Sequence, residues 1–197
     1  MKTAVPEAAL DQLFRQARSY NRWTPEAVLP AQLHALYDLL KFGPTSANSC
    51  PARFVFVCGA DAKARLLECV SSGNKIKVQQ APVVTIVGMD LQFYDRLPQL
   101  RPDNPATREW FSKDPKGAQE AAFRNSSLQG AYLMLAARAV GLDCGPMSGF
   151  DNARVDAEFF AGTSIKSNFL CALGQGTQEQ LFPRNPRLNF DDACKIL

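Results

Sequence analysis

Five short stretches of this 197-residue sequence hold the side chains best suited to chemistry: ARSYN at 17–21, PTSAN at 44–48, NKIK at 74–77, GPMSGFD at 145–151 and PRNPR at 183–187. Arginines such as Arg18, Arg184 and Arg187 present planar forks of donors that suit phosphate or carboxylate oxygens. Asn74 and Lys77 stand three apart, which puts both on one face of a helical turn. PTSAN lays small, hydrogen-bonding side chains directly before RFVFV, a run that reads as a strand, and the glycines of GPMSGFD suit close backbone approach.

Other chemistries find little support. A Ser-His-Asp or Cys-His mechanism would have to use the single histidine, His34, which sits in PAQLHALYDLLKF and reads as a surface or packing residue of a helix. The six cysteines (Cys50, Cys58, Cys69, Cys144, Cys171 and Cys194) contain no CxxC pair, so neither a zinc site nor a thioredoxin-type motif is indicated, and no metal is expected. Cys50 has no base nearby in sequence to activate it. No GxGxxG follows a strand, GQG at 174–176 lacks the third glycine, and there is no GxxxxGK[ST] phosphate loop. The net charge of +3 is too small and too evenly spread to indicate nucleic acid, but it is compatible with one small anionic ligand.

These stretches must be positioned by the elements between them. Helices are expected at 6–18, at 30–42 with Gly43 as a left-handed cap, at 61–70, at 118–141 with Gly141 as its stop, at 152–161 and near the C-terminus. Strands are expected at 53–58, at 82–88 (PVVTIVG, apolar enough to be buried on both faces) and at 167–173. The 118–141 helix shows a stripe of Phe123, Leu128, Ala131, Leu135 and Ala139, with small residues Gly130, Ala131, Ala136 and Ala137 permitting close packing. Residues 94–117, with four prolines, read as a surface loop anchored by an aromatic at Trp110 or Phe111, or as a lid. Strands interspersed with helices argue for a mixed α/β sandwich.

A chain of this length is expected to form one domain, 1–197, which can bury roughly 70% of its unfolded surface. The 46% hydrophobic and 21% charged fractions are those of a globular protein. No apolar run approaches the about 18 residues of a membrane span, and MKTAVPEAALDQLF does not read as a signal peptide, so a cytoplasmic protein is expected.

In this order, the five stretches resemble the nitroreductase-like family of FMN-dependent oxidoreductases, over essentially the whole chain. GPTSAN, SSGN, FRNSS, GPMSGFD and KSN carry a closer resemblance to its branch of malonic semialdehyde reductases, or 3-hydroxypropionate dehydrogenases, of pyrimidine degradation. The resemblance implies an α+β nitroreductase-like fold, with a central mixed sheet flanked by helices, in a domain-entwined homodimer. FMN would be held at its phosphate by Arg18, Ser19, Asn21, Arg184 and Arg187, and at its pyrimidine edge by Asn74 and Lys77. Pro146, Met147, Ser148 and Gly149 would pass near flavin N5, and Pro44, Thr45, Ser46 and Asn48, from the partner subunit, would wall the flavin and substrate pocket.

The same resemblance implies ping-pong hydride transfer from NADH or NADPH through flavin N5 to malonic semialdehyde, with no dedicated protein nucleophile. Arg124 and Asn48 are the substrate candidates, with Arg53, Arg96, Arg101 and Arg108 behind Arg124. A general nitro or quinone reductase and a flavin-binding protein without turnover are the alternatives. The chain departs from the family pattern at Ala17, where many relatives have arginine, and at Asn21, where a basic residue is usual. Cys50-Pro51-Ala52 replaces a Gln-Pro-Trp, which favours a small polar substrate over a broad aromatic one.

Overall fold

A computed structural model describes residues 3–197; Met1 and Lys2, which open the N-terminal stretch read above, lie outside the described residues. The first helix, α1 (Glu7–Leu10), widens into a π-helical turn at Asp11–Arg15. Next comes α2 (Pro30–Leu40), with Pro30 at its first position, where the missing N–H costs nothing, and Leu29 N–H donating to Gln32 Oε1 at 2.9 Å. The chain continues through β1 (Ala52–Val57), α3 (Ala60–Leu67), α4 (Ser72–Gln80) and β2 (Val83–Asp90). After a 3₁₀ turn at Phe93–Arg96 come α5 (Leu97–Leu100), α6 (Thr107–Ser112) and α7 (Pro115–Ala139). The last elements are β3 (Asp143–Met147), α8 (Asn152–Phe159), β4 (Ile165–Gly174) and the short α9 (Phe190–Ala193). Among the described residues no helix is long and apolar enough to cross a membrane.

The four strands form one sheet in the order β1-β2-β4-β3, and all three pairings are antiparallel. This corrects the expected mixed sheet. Strands and helices alternate in sequence whether a helix crosses over the sheet or merely returns the chain beside it; the nonlocal match of β2 to both β1 and β4 decides the direction. One isolated parallel bridge, Ser19 to Cys144, lays the N-terminal segment along β3.

As its composition predicts, β2 is buried on both faces. Val84 and Ile86 pack with Leu66 of α3, Val78 of α4 and Val155 of α8. Val83 and Val87 pack on the opposite face with Leu36 and Leu40 of α2 and Leu133 of α7. Each such side chain contributes roughly 1.5–3 kcal/mol when fully buried.

α7 reverses its predicted pattern. Its buried face is small and polar, with Ala118, Ala122, Asn125, Gln129, Leu133 and Ala136 at helical spacing, while Phe123, Leu128 and Ala131 of the expected core stripe are exposed. Gly130 is needed there: a Cβ would lie 2.4 Å from the Phe169 ring. Gly141 ends the helix at φ +80°, as expected. Gly43 is not a left-handed cap; it is buried under the Tyr132 ring, which a Cβ would meet at 2.7 Å. The 94–117 segment is largely helical, and its anchors are the buried Phe93 and Leu97, with Phe111 edge-on to Phe93 at 4.9 Å, whereas Trp110 is 58% exposed.

Candidate functional site

Three of the five stretches converge at one edge of the sheet. Tyr20 N–H donates to Cys144 O at 3.0 Å, which sets the 18–23 segment beside β3. A Cβ on Gly145 would lie 2.6 Å from Tyr20 O, 2.9 Å from the Trp23 ring and 3.4 Å from Lys77 Cδ, so only glycine lets these three groups meet. One turn earlier in α4, Asn74 Nδ2 donates to Gly149 O at 3.0 Å, and Ser71 Oγ donates to the same carbonyl at 2.8 Å. The helical spacing of Asn74 and Lys77 thus aligns both with the 145–149 backbone.

Lys77 is buried, with no ion-pair partner among the described residues, and burial pushes its ammonium pKa below the ordinary lysine value. Trp23 Nε1 is a buried donor without an acceptor among the described residues, and Met147 lies buried at the end of β3 while Pro146 and Ser148 retain some exposure.

The first and last stretches meet in a cavity of about 440 Å³ lined by Ala17, Arg18, Ser19, Asn21, Arg138, Arg184 and Arg187, together with apolar tail residues. Arg184 donates to Arg15 O at 2.8 Å and Ala17 O at 2.7 Å, and Arg18 donates to Phe182 O. Arg187 donates to Asn185 O and Pro186 O of its own segment, and Asn21 reaches Gln180 O at 3.5 Å. No carboxylate lines the cavity, so its four guanidiniums favour an anion. Sequence reasoning missed Arg138: it reads as a surface residue of α7, and only the fold brings it to the N-terminal segment.

The 44–50 loop lies elsewhere. Ser46 N–H donates to the buried Asn125 Oδ1 at 2.8 Å, and Asn48 Nδ2 donates to Leu100 O at 2.8 Å. Pro44 is exposed, and Thr45 Oγ1 accepts from Cys50 N–H at 3.1 Å. Ala47, Asn48 and Cys50 adopt positive φ of 55°, 53° and 40°, a left-handed conformation that asparagine tolerates but that costs residues such as Ala47 and Cys50 about 1–2 kcal/mol each. None of the described cavities is lined by both this loop and the Asn74–Lys77 turn. Asn125 and Gln129, whose Oε1 accepts from Ala52 N–H at 2.9 Å, fix the loop's two ends; polar residues on a helix gave no sequence signal for that role.

Beside the loop, a cavity of about 250 Å³ is lined by Cys50, Arg53, Arg96, Gln99 and Gln129 among others. Arg53 is held by Asp90 at 2.7 Å, Arg101 lies 3.6 Å from Asp103, and Arg108 lies 2.6 Å from Asp95. Arg124 is exposed on α7 with Glu120, Phe123 and Leu128, away from the three converging stretches. His34 is exposed on α2 beside Leu33, Tyr37 and Phe56. Among the described residues no group of three or more His, Cys, Asp or Glu could hold a metal ion.

An antiparallel sheet between helical layers, with an anion-attracting cavity at its β3 edge, makes this an α+β protein with the nitroreductase-like fold. The chain belongs to the nitroreductase family, whose sequence profile matches residues 2–176. A Caulobacter vibrioides relative, provisionally named NADH dehydrogenase/NAD(P)H nitroreductase, is 58% identical over 193 residues, covering 98% of each chain. A Stenotrophomonas maltophilia protein with the same provisional name is 57% identical over 196 residues, covering all of both chains. Among solved structures, a provisionally named nitroreductase from Exiguobacterium sibiricum in complex with FMN shares the fold with TM-score 0.85 at 18% identity, covering 100% of this chain and 99% of that one. These two relatives are not named as malonic semialdehyde reductases, so the family holds while the expected branch does not carry over to their names.

Proposed function

We propose that this chain is a single nitroreductase-like domain that binds FMN and uses NADH or NADPH to reduce nitroaromatic or quinone acceptors, as a homodimer. The observation that carries the reading is the junction of the 18–23 segment, β3 and α4, with a four-arginine cavity at its end. The residues fit the cofactor: the Lys77 stem and the Trp23 ring lie beside Gly145, Trp23 Nε1 is buried without a partner among the described residues, and the cationic cavity suits a phosphate. Arg18, Ser19, Asn21, Arg184 and Arg187 would hold the phosphate, Asn74 and Lys77 the pyrimidine edge, and Pro146 to Gly149 the ring.

FMN supplies reversible hydride acceptance between a nicotinamide and a second substrate. Lys77 holds positive charge where the pyrimidine edge would lie, which favours negative charge there. The homodimer rests on exposed apolar side chains, including Phe42 beyond α2 and Phe123 and Leu128 on α7. It rests also on the 44–48 loop, which is strained yet remote from its own chain's converging stretches. Supplied by a partner, Pro44, Thr45, Ser46 and Asn48 would wall that site.

A second reading, reduction of malonic semialdehyde to 3-hydroxypropionate, is favoured by the small cavity beside Cys50 and Ala52. Arg96 lines it and could take a carboxylate, in place of the remote Arg124. The two readings separate in one experiment. The chain is reconstituted with FMN without oxygen and reduced by NADH or NADPH, then given nitrofurazone or malonic semialdehyde while flavin absorbance is followed. Reoxidation by the nitroaromatic supports the main reading, and reoxidation by the aldehyde alone supports the second. A bound flavin that neither nicotinamide reduces would leave a binding protein without turnover.

A further inference from the structure

The arginine cavity holds one residue that the family pattern does not assign. Arg138 stands in the last turn of α7, a 25-residue helix, whereas Arg18, Arg184 and Arg187 belong to segments outside helix and strand. Its Nη1 donates to Leu13 O at 2.9 Å, and its own carbonyl accepts from Gln12 Nε2 at 2.6 Å, which locks the helix end to the N-terminal segment. Its Nε, by contrast, is buried and has no hydrogen-bond partner among the described residues. The guanidinium also lines the cavity, and its Nη2 makes no hydrogen bond to another described residue, which leaves that donor for an anion held there. Asp143 is near enough for the Arg138 charge to favour its carboxylate form, but it makes no ion pair with Arg138, accepts from Gly176 N–H at 2.9 Å, and is not among the lining residues of the cavity.

The same cavity is lined by Ala17 and Asn21, both neutral, so the N-terminal segment brings only Arg18 as a cation. We propose that Arg138 is a phosphate-binding residue of this chain, supplying from the rigid end of α7 the charge that positions 17 and 21 lack. The inference rests on the FMN reading above. Because a side chain on a helix is preorganised, Arg138 contributes selectivity for FMN over riboflavin, which offers the same ring and polyol without the phosphate.

The test is equilibrium binding, read by quenching of flavin fluorescence, of FMN and of riboflavin to the wild-type chain, Arg138→Met and Arg138→Lys. Losing a charge-assisted hydrogen bond is expected to weaken FMN about 10- to 100-fold in Arg138→Met and leave riboflavin within about twofold. Arg138→Lys keeps the charge but not the fork and is expected to fall between; it decides the matter if the methionine variant does not fold. FMN binding equal to wild type in the folded variants, or equal losses for FMN and riboflavin, would overturn the role of Arg138 and leave the FMN reading intact. A wild-type chain that binds neither flavin would overturn the FMN reading and this proposal with it.

Discussion

Lys77 shows what a single residue costs and contributes. With no carboxylate paired to it among the described residues, its burial beside Gly145 disfavours the ammonium, and its pKa lies below the ordinary lysine value. In the unfolded chain the lysine titrates normally, so between the two pKa values the unfolded state binds more protons and stability rises with pH. Below the folded value the penalty is fully present. Lys77→Met is therefore expected to raise the thermal midpoint at neutral pH by a few degrees, or about 1 kcal/mol, with the gain narrowing in alkaline buffer. The same variant should slow flavin reduction by NADH about tenfold or more. Scanning calorimetry at two pH values and stopped-flow absorbance check both. At position 17, Ala17→Arg is expected to tighten FMN about tenfold by adding a cation to the cavity, measured by fluorescence titration.

At the scale of elements, the 93–112 segment is held by the inward side chains of Phe93 and Leu97 against Ala118, Ala121 and Ala122 of α7. Phe93→Ala is expected to cost about 3–5 kcal/mol in urea unfolding, whereas Trp110→Ala, at an exposed position, should stay within about 0.5 kcal/mol. Comparable losses for the two would mean the indole, rather than Phe93, ties the segment down. Residue type alone did not rank these aromatics. Both lie in a polar, proline-rich neighbourhood, and what separates them is which one the 3₁₀ turn aims at α7.

For the whole molecule, the reversed pattern of α7 matters most. A helix that buries alanines, Asn125 and Gln129 and exposes Phe123 and Leu128 has its larger apolar surface turned outward. Under the dimer reading that surface is covered by a second copy. Leu128→Glu is expected to shift sedimentation from dimer to monomer and to lower FMN occupancy. A wild-type chain that sediments as a monomer with FMN bound would refute the shared site. A well-packed interface of this kind buries about 1,200–2,000 Å² or more in total.

Local chemistry was legible without the fold. The spacing of Asn74 and Lys77 placed them on one helical face, the apolar run at 82–88 marked a strand buried on both sides, and Gly141 marked the end of α7. Each depends only on neighbours in the chain and on the fixed periods of helix and strand. Strand direction, the outward stripe of α7, the packing role of Gly43 and the arrival of Arg138 beside Arg18 depend instead on contacts between distant segments. A glycine reads the same whether it relieves a backbone angle or makes room for Tyr132, and an arginine reads the same in solvent or in a cavity. Tertiary packing decided those cases, because burial and the distance between charges are properties of the assembled chain and have no counterpart in the order of its residues.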